Sequence, residues 1–177
     1  IFQTGSGTQT NMNVNEVIAN KANEKLGGRL GKYEYVHPND HVNMSQSTND
    51  TFPTATLIGT VLAVEDNLIP ALKMLSASLN KKTKKFKKII KVGRTHLQDA
   101  TPITLGQEFS GFESMISNDL KRIELAMKEC TDLPIGGTAV GTGLNTLDGY
   151  DDLMASFISE ETGIDFNVCK NKFELLS

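Results

Sequence analysis

Two long stretches of the chain repeat apolar residues at intervals of three and four, which is the spacing of one helix face. The first stripe consists of Leu57, Val61, Val64, Leu68, Leu72, Leu75 and Leu79. The second consists of Leu105, Phe109, Phe112, Ile116, Leu120, Ile123 and Met127. Both stripes predict long amphipathic helices, and the short link at 89–103 lets them run antiparallel in a bundle. Because one hairpin cannot bury so much apolar surface, we expect the chain to form oligomers.

The ends of the first long helix carry their own signals. Ser47-Thr48-Asn49-Asp50 supplies four residues of the N-cap type and predicts a helix start just before Pro53. Pro70 lies inside the apolar pattern and predicts a kink. The lysine-rich run at 81–88 complements the dipole at the helix C-terminus, and a nucleic-acid or lipid surface is the alternative interpretation.

Shorter elements complete a mainly α-helical chain. A helix is predicted from Asn13 to Leu26, with a buried face formed by Val14, Val17, Ile18, Ala22 and Leu26. Ile89 to Val92 is a short β-like run that leads into a turn at 92–102, and Thr101-Pro102 is expected to start the second long helix. Residues 29–46 are irregular, glycine-rich loops cover 3–10 and 134–146, and a modest helix runs from Tyr150 to Glu161.

Composition narrows the class of protein. The 177 residues carry a net charge of −3, which argues against nucleic acid as a partner. The two cysteines, Cys130 and Cys169, are far apart and indicate free thiols in a reducing compartment. No apolar run approaches the roughly 20 residues that span a membrane. Because the chain opens with Ile1 and stops in the middle of a pattern, we expect a piece of a longer protein.

Three polar clusters share the same kind of chemistry, since each is rich in hydroxyl, amide and backbone donors. They are Ser6 with Thr8, then Ser47 with Thr48 and Asn49, and finally Thr95 with His96. The second cluster lies at a helix N-terminus, which favours an anion. If the fold brings the clusters together, they suit a small carboxylate, and His96 is the group that moves a proton near neutral pH. The alternative is that Ser47–Asp50 only caps a helix and that Ser6 and Thr8 are ordinary loop residues.

His37, Asp40 and His41 form a fourth group and invite a metal-site interpretation. No further ligand follows at a convincing spacing, so a solvated loop is the preferred interpretation of this segment.

Five segments together resemble class II fumarate hydratases of the fumarase/aspartase superfamily. They are Gln3-Thr4-Gly5-Ser6-Gly7-Thr8-Gln9-Thr10-Asn11-Met12-Asn13, His37-Pro38-Asn39-Asp40, Ser45-Gln46-Ser47-Thr48-Asn49-Asp50, Gly93-Arg94-Thr95-His96-Leu97-Gln98-Asp99-Ala100, and Gly136-Gly137-Thr138-Ala139-Val140-Gly141-Thr142-Gly143-Leu144-Asn145-Thr146. They occur in the family's order and cover nearly the whole chain. The resemblance implies the long-helix bundle of that superfamily, with irregular glycine-rich loops, assembled as a homotetramer whose active sites take residues from three subunits.

The same resemblance implies reversible hydration of fumarate to L-malate without a cofactor or a metal. By similarity, the carboxylates of the substrate are bound by Ser6, Gly7, Thr8, Ser47, Thr48, Asn49 and Thr95. His96 matches the catalytic histidine that relays protons. His37, Pro38, Asn39 and Asp40 match a secondary dicarboxylate site. Neither a nucleic acid nor a membrane is an expected partner, and the expected compartment is the cytoplasm or the mitochondrion.

The chain departs from the family pattern in two places. Thr48 stands where many members have serine, and Ser-Thr-Asn is also typical of aspartate ammonia-lyases, which makes that activity the alternative. The family's mobile Gly-Ser-Ser loop with the catalytic serine base does not occur in these 177 residues. We therefore expect this piece to be inactive alone, and a helical oligomerisation module is the non-enzyme alternative. Residues 1–46 are predicted to end an N-terminal lyase domain, and residues 47–177 to begin the central bundle.

Overall fold

The computed structural model describes residue 5 and residues 7–176, and these are mainly α-helical, as the sequence predicts. The helices are α1 (Thr8–Lys25), α2 (Thr48–Ala63), α3 (Ile69–Lys85), α4 (Leu105–Cys130), α5 (Tyr150–Thr162) and α6 (Lys172–Leu175), with π-helical turns at Pro38–Val42 and Val64–Leu68. The strands are β1 (Ile90–Thr95), β2 (Gln98–Thr104), β3 (Asp132–Leu133) and β4 (Asn167–Val168). β1 and β2 pair antiparallel, whereas β3 and β4 pair parallel.

The chain forms two compact units. The first unit combines the described residues up to Thr60 with those from Cys130 onward, and the second unit is Val61–Glu129. The predicted domain boundary between residues 46 and 47 concerns the domains of a longer protein, and it stays a prediction.

In the second unit, α3 and α4 run antiparallel, which confirms the prediction from the two apolar stripes. Ser76 donates to Glu113 Oε1 at 3.0 Å, while Gly106, near the start of α4, lies against the backbone of Thr83 near the end of α3. A second hydroxyl, from Ser117, donates to the same Glu113 oxygen at 2.7 Å. The hydrogen bonds from Ser117 and then Ser76 lower the pKa of Glu113, because they stabilise its ionised form.

The long helices begin at other residues than the sequence predicts. α2 starts at Thr48, capped by Ser47, whose Oγ accepts the N–H of Asn49 at 3.3 Å. Pro53 therefore lies inside the helix, and the prediction that it starts the helix is wrong. A side chain that accepts a backbone N–H fixes a helix start more firmly than a proline does.

The second long helix also starts later than predicted. Thr104 and Gln107 form a reciprocal capping box, because each side chain accepts the backbone N–H of the other at 3.1 and 2.8 Å. α4 therefore begins at Leu105, and the expected start at Thr101-Pro102 is wrong, since both residues belong to β2.

The predicted strand at 89–92 is confirmed and forms half of a β-hairpin. β1 pairs with β2 in a register that places Arg94 opposite Asp99 and Thr95 opposite Gln98. The register shifts between Val92 and Arg94, at Gly93, where a Cβ would lie 2.6 Å from the carbonyl oxygen of Thr101. Glycine is thus required for this bulge.

α2, the π-helical turn Val64–Leu68 and α3 form one continuous helix of 38 residues. The π-helical turn comes just before Pro70, so the hydrogen-bond ladder widens where the sequence predicts a kink. Contrary to the sequence-based expectation, this helix contains a window of mean hydropathy 1.3 that is long and apolar enough to cross a membrane by length and composition alone. The core helix of a soluble bundle passes the same test.

α1 buries the face that its hydrophobic pattern assigns to solvent. Its buried residues are Asn11, Asn15, Ala19 and Asn23. Four of the five residues predicted to be buried, Val14, Val17, Ile18 and Leu26, are each about half exposed, so the predicted face is wrong. The cause is the irregular segment after α1, whose backbone needs hydrogen-bond partners that apolar side chains cannot supply.

Asn23 shows how this polar face works. Its amide donates to the carbonyl of Val36 at 2.7 Å, and its Oδ1 accepts the N–H of Tyr35 at 2.8 Å and that of Val36 at 3.2 Å. It also donates to the carbonyl of Ala19 at 2.7 Å and is fully buried. One side chain therefore satisfies the backbone of a loop that forms no ladder of its own.

We predict that Asn23→Leu lowers the free energy of unfolding by about 2–4 kcal/mol, because it leaves buried backbone groups without partners. Val17→Ser, on the exposed apolar face of the same helix, changes it by less than about 0.5 kcal/mol. Urea denaturation of both variants measures the two effects. A large loss for Val17→Ser that depends on protein concentration would instead show that another copy covers this face.

Candidate functional site

A cluster of donors lies at the N-terminus of α2 in the first unit. Ser47 caps the helix, and Thr48 and Asn49 form its first two residues. The first N–H groups of a helix have no partner within the helix, and the helix dipole adds positive potential there. Hydroxyl, amide and backbone donors thus converge where the sequence predicts a carboxylate, so three of the predicted binding residues occur together.

Asp50 binds this helix end to the glycine-rich segment 134–146. Its carboxylate is fully buried, with Oδ1 accepting the N–H of Ser47 at 2.9 Å and Oδ2 accepting that of Thr138 at 2.8 Å. The hydroxyl of Thr51 also approaches Oδ1 at 3.3 Å. Within residue 5 and residues 7–176, no salt bridge includes Asp50, so backbone and hydroxyl donors alone compensate its charge.

Neighbouring contacts extend this junction on both sides. Asn49 donates its amide to the carbonyl of Ala139 at 2.7 Å. Before the helix, Ser45 Oγ accepts the N–H of Leu147 at 3.3 Å. The segment 45–50 therefore contacts the middle of the glycine-rich segment and the residues at its C-terminal end. Leu133–Thr138 is buried although it is mostly loop.

Three buried hydroxyls in this part of the first unit have no hydrogen-bond partner among the described residues. They belong to Thr54, Thr138 and Tyr150. Burial and, to a smaller extent, the negative charge of Asp50 together raise the pKa of Tyr150 to about 12. Tyr150 is therefore a neutral phenol at physiological pH, and its hydroxyl can serve as a donor.

The predicted binding loop near the N-terminus is described only in part. Ser6 lies outside the described residues. Gly7 is buried with φ of +80° and precedes α1, which begins at Thr8. A Cβ at Gly7 would lie 2.3 Å from the ring of Phe52, so no other residue fits this close contact between α1 and α2.

Thr95 and His96 belong to the second unit, where β1 ends. His96 and Leu97 form the two-residue turn of the hairpin, with φ of +50° and +63°. Positive φ at both positions is typical of a type I′ turn, in which Asn-Gly is the usual pair. The hairpin thus holds two bulky residues in a left-handed conformation, which places the exposed His96 at its tip.

The segment with two histidines is a capped π-helical turn. His37 Nδ1 accepts the N–H groups of Asn39 and Asp40 at 3.3 Å each, and His41 Nδ1 accepts the N–H of His37 at 2.8 Å. The same Nδ1 atom lies 3.3 Å from Asp40 Oδ2. Pro38 is buried, whereas Asn39 and Asp40 are exposed. The secondary dicarboxylate site at His37–Asp40 stays a prediction.

Sequence reasoning missed several residues that build the site. Asn11 donates its amide to Thr48 Oγ1 at 2.9 Å and to Asn43 Oδ1 at 3.1 Å, and neither asparagine carries a signal in the hydrophobic pattern. Thr138 and Tyr150 lie in or next to a glycine-rich loop. Asp50 was assigned only a capping role. The spacing of three residues from Ser47 to Asp50 indicates the capping box, but nothing in it indicates the bond to Thr138.

Comparison with known proteins shows the family of this chain. The model of a family described as lyase matches residues 1–177, so the chain belongs to that family. Its fold is similar to the crystal structure of a class II fumarase from Schistosoma mansoni, with a TM-score of 0.92 and 40% identity, covering 98% of this chain and 40% of that one. A fumarate lyase:delta crystallin from Brucella melitensis, bound to cobalt, matches with a TM-score of 0.91 and 44% identity over 99% of this chain and 38% of that one.

Curated relatives that match this chain are named fumarate hydratases. The mitochondrial fumarate hydratase of Schizosaccharomyces pombe is 56% identical over the whole chain, which covers 34% of that protein. The class II fumarate hydratase of Thermus aquaticus and the mitochondrial fumarate hydratase of Homo sapiens are each 55% identical, with 38% and 35% of their lengths covered. The chain thus spans little more than a third of the curated relatives it matches.

We predict that Asp50→Asn lowers the free energy of unfolding by about 1–3 kcal/mol, because asparagine has one acceptor oxygen for two backbone N–H groups. Hydrogen exchange should also become faster at the amide of Thr138. The matched control is Asp66→Asn, which neutralises an exposed aspartate and leaves both quantities unchanged. A gain in stability for Asp50→Asn would show that desolvation of the charge outweighs its hydrogen bonds.

Proposed function

We propose that the protein is a fumarate hydratase, which adds water to fumarate reversibly to give L-malate. The observation that carries the proposal is the donor cluster Ser47, Thr48 and Asn49 at the N-terminus of α2, held by the buried Asp50. The names of the relatives support it, since fumarate hydratases match this chain over its whole length.

In the proposed reaction, a base removes a proton next to a carboxylate of L-malate, and an acid helps the hydroxyl group to leave. Removal of the proton puts additional negative charge on that carboxylate until the hydroxyl group leaves, so preorganised donors stabilise this intermediate more than the substrate. Ser47, Thr48, Asn49 and Thr95 are proposed as such donors, together with Ser6, Gly7 and Thr8. His96, exposed at the hairpin tip, is proposed to relay a proton through water. No step of this proposal needs a cofactor.

The assembly and compartment belong to the same proposal. Half-exposed apolar residues on the long helices, such as Leu68, Leu75 and Phe112, support self-association, and we propose a homotetramer. The names of several relatives include the word mitochondrial, which supports the mitochondrion or the cytoplasm as the compartment.

The proposal is tested by assaying the protein, in the full length that its gene encodes, with fumarate, L-malate and L-aspartate. We predict interconversion of fumarate and L-malate without release of ammonia from L-aspartate. Ammonia release would identify an aspartate ammonia-lyase, while inactivity with all three compounds, together with no thermal stabilisation by fumarate, would indicate an oligomerisation module. The 177-residue chain assayed alone should turn over neither fumarate nor L-malate, because it lacks the Gly-Ser-Ser sequence that supplies the family's base.

We predict that His96→Asn lowers kcat for hydration by about 10²–10⁴-fold, the usual contribution of a general acid–base group. The oligomeric state measured by light scattering should not change, because His96 is exposed and makes few packing contacts. Asparagine also tolerates the positive φ at this position, so the hairpin should persist. A kcat near that of the wild type would remove His96 from the proposed mechanism.

A further inference from the structure

Thr48 can help to bind a carboxylate only if its hydroxyl donates a hydrogen bond, because both oxygens of a carboxylate are acceptors. A hydroxyl has one proton and two lone pairs, so its neighbours decide where the proton points. In this structure, the neighbour of Thr48 Oγ1 is Asn11 Nδ2, at 2.9 Å. Because an amide nitrogen only donates, it occupies a lone pair of the hydroxyl and leaves the proton free.

We propose that Asn11 is a positioning residue that fixes the Thr48 hydroxyl as a donor toward a carboxylate of the substrate. The inference rests on the proposed function, since it assigns Thr48 to substrate binding. Asn11 itself is buried on α1, and in this proposal it acts through Thr48.

The direction of the amide of Asn11 follows from a backbone group. Asn43 donates its Nδ2 to the carbonyl oxygen of Gln46 at 3.3 Å, and a carbonyl oxygen is only an acceptor. The Oδ1 of Asn43 must therefore point the other way, toward α1. There it lies 3.1 Å from Asn11 Nδ2 and 2.8 Å from Asn15 Nδ2. Because Asn43 Oδ1 only accepts hydrogen bonds, Asn11 and Asn15 must each turn their Nδ2 toward it. The same Nδ2 of Asn11 then faces Thr48 Oγ1.

Both protons of this NH₂ group are used, one on Asn43 Oδ1 and one on Thr48 Oγ1. The backbone holds the group in place as well. Asn11 donates its own N–H to the carbonyl of Gly7 at 3.0 Å, and Asn43 donates its N–H to the carbonyl of Pro38 at 3.0 Å. Turning the Asn11 amide over would place two oxygens against each other at Asn43. A hydroxyl that accepts such a bond also becomes a stronger donor, because hydrogen bonds in a chain polarise one another.

The chain offers a matched control one helical turn away. Asn15 is buried on the same face of α1 and donates to the same Asn43 Oδ1. Its amide also donates to Met12 Sδ at 3.7 Å, but it does not donate to Thr48. Asn11→Ala and Asn15→Ala therefore both remove a donor from Asn43. Only Asn11→Ala also leaves the Thr48 hydroxyl free to turn.

The experiment measures kcat/KM for fumarate with the protein in the full length that its gene encodes. We expect Asn11→Ala to lower kcat/KM about tenfold, the effect of one hydrogen bond to a charged group, and Asn15→Ala to lower it less than about threefold. Asn11→Asp should cause a larger loss than Asn11→Ala. Its carboxylate accepts the hydrogen bond of the Thr48 hydroxyl, which turns that proton away from the substrate, and its negative charge repels the substrate carboxylate. Circular dichroism and thermal unfolding establish that each variant is folded.

A double-mutant cycle with Thr48→Val separates positioning from a general structural effect. In the Thr48→Val background there is no hydroxyl to direct, so Asn11→Ala should then cost less than about twofold. If the tenfold loss persists in that background, or if Asn11→Ala and Asn15→Ala lose equally, the inference is overturned while the proposed function stands. If the wild-type protein neither hydrates nor binds fumarate, the proposed function fails, and this inference fails with it.

Discussion

The carboxylate of Asp50 is buried and accepts hydrogen bonds from Ser47, just before it, and from Thr138, which is 88 residues further along the chain. One of these bonds closes the cap of α2, and the other fixes the glycine-rich segment at Thr138. None of the salt bridges among the described residues includes Asp50. Burying a carboxylate without a basic partner destabilises a protein unless donors form hydrogen bonds with its oxygens. The donor cluster at Ser47–Asn49 thus depends on the Asp50 carboxylate, which accepts the N–H of Ser47 and connects the cluster to Thr138.

The first unit is organised by buried polar contacts as well as by an apolar core that includes Leu133, Ile135 and Phe166. Its buried residues include Asn11, Asn15, Asn23, Ser45, Asp50, Thr54 and Thr138. Two irregular segments pass through it, and irregular backbone forms no ladder, so amide and carboxylate side chains take the place of neighbouring strands. The same groups that satisfy the loops also orient the candidate binding residues, because structure and site share one hydrogen-bond network.

Sequence reasoning succeeded where one physical effect dominates. The antiparallel pair α3 and α4 followed from two apolar stripes and a short link, and the strand at 89–92 followed from its β-branched residues. The buried face of α1 could not be predicted, because periodicity assigns apolar residues to the interior. It carries no information about the loop backbone, which needs amide side chains such as that of Asn23 as hydrogen-bond partners. The hairpin was missed because His96-Leu97 replaces the Asn-Gly signal of a type I′ turn. In the site, the cluster at Ser47–Asn49 was found from helix capping, whereas Asn11 and Thr138 act through contacts that no local pattern encodes.

The left-handed turn at His96-Leu97 also bears on how this protein can be stabilised by design. For L-residues, this conformation costs roughly 1–2 kcal/mol at each position. Methods that replace strained residues with glycine or asparagine would select Leu97 and His96 first, since both are exposed and neither fills a core. The most obvious route to a more stable protein would therefore change the turn that presents the His96 imidazole, which the proposed proton relay uses.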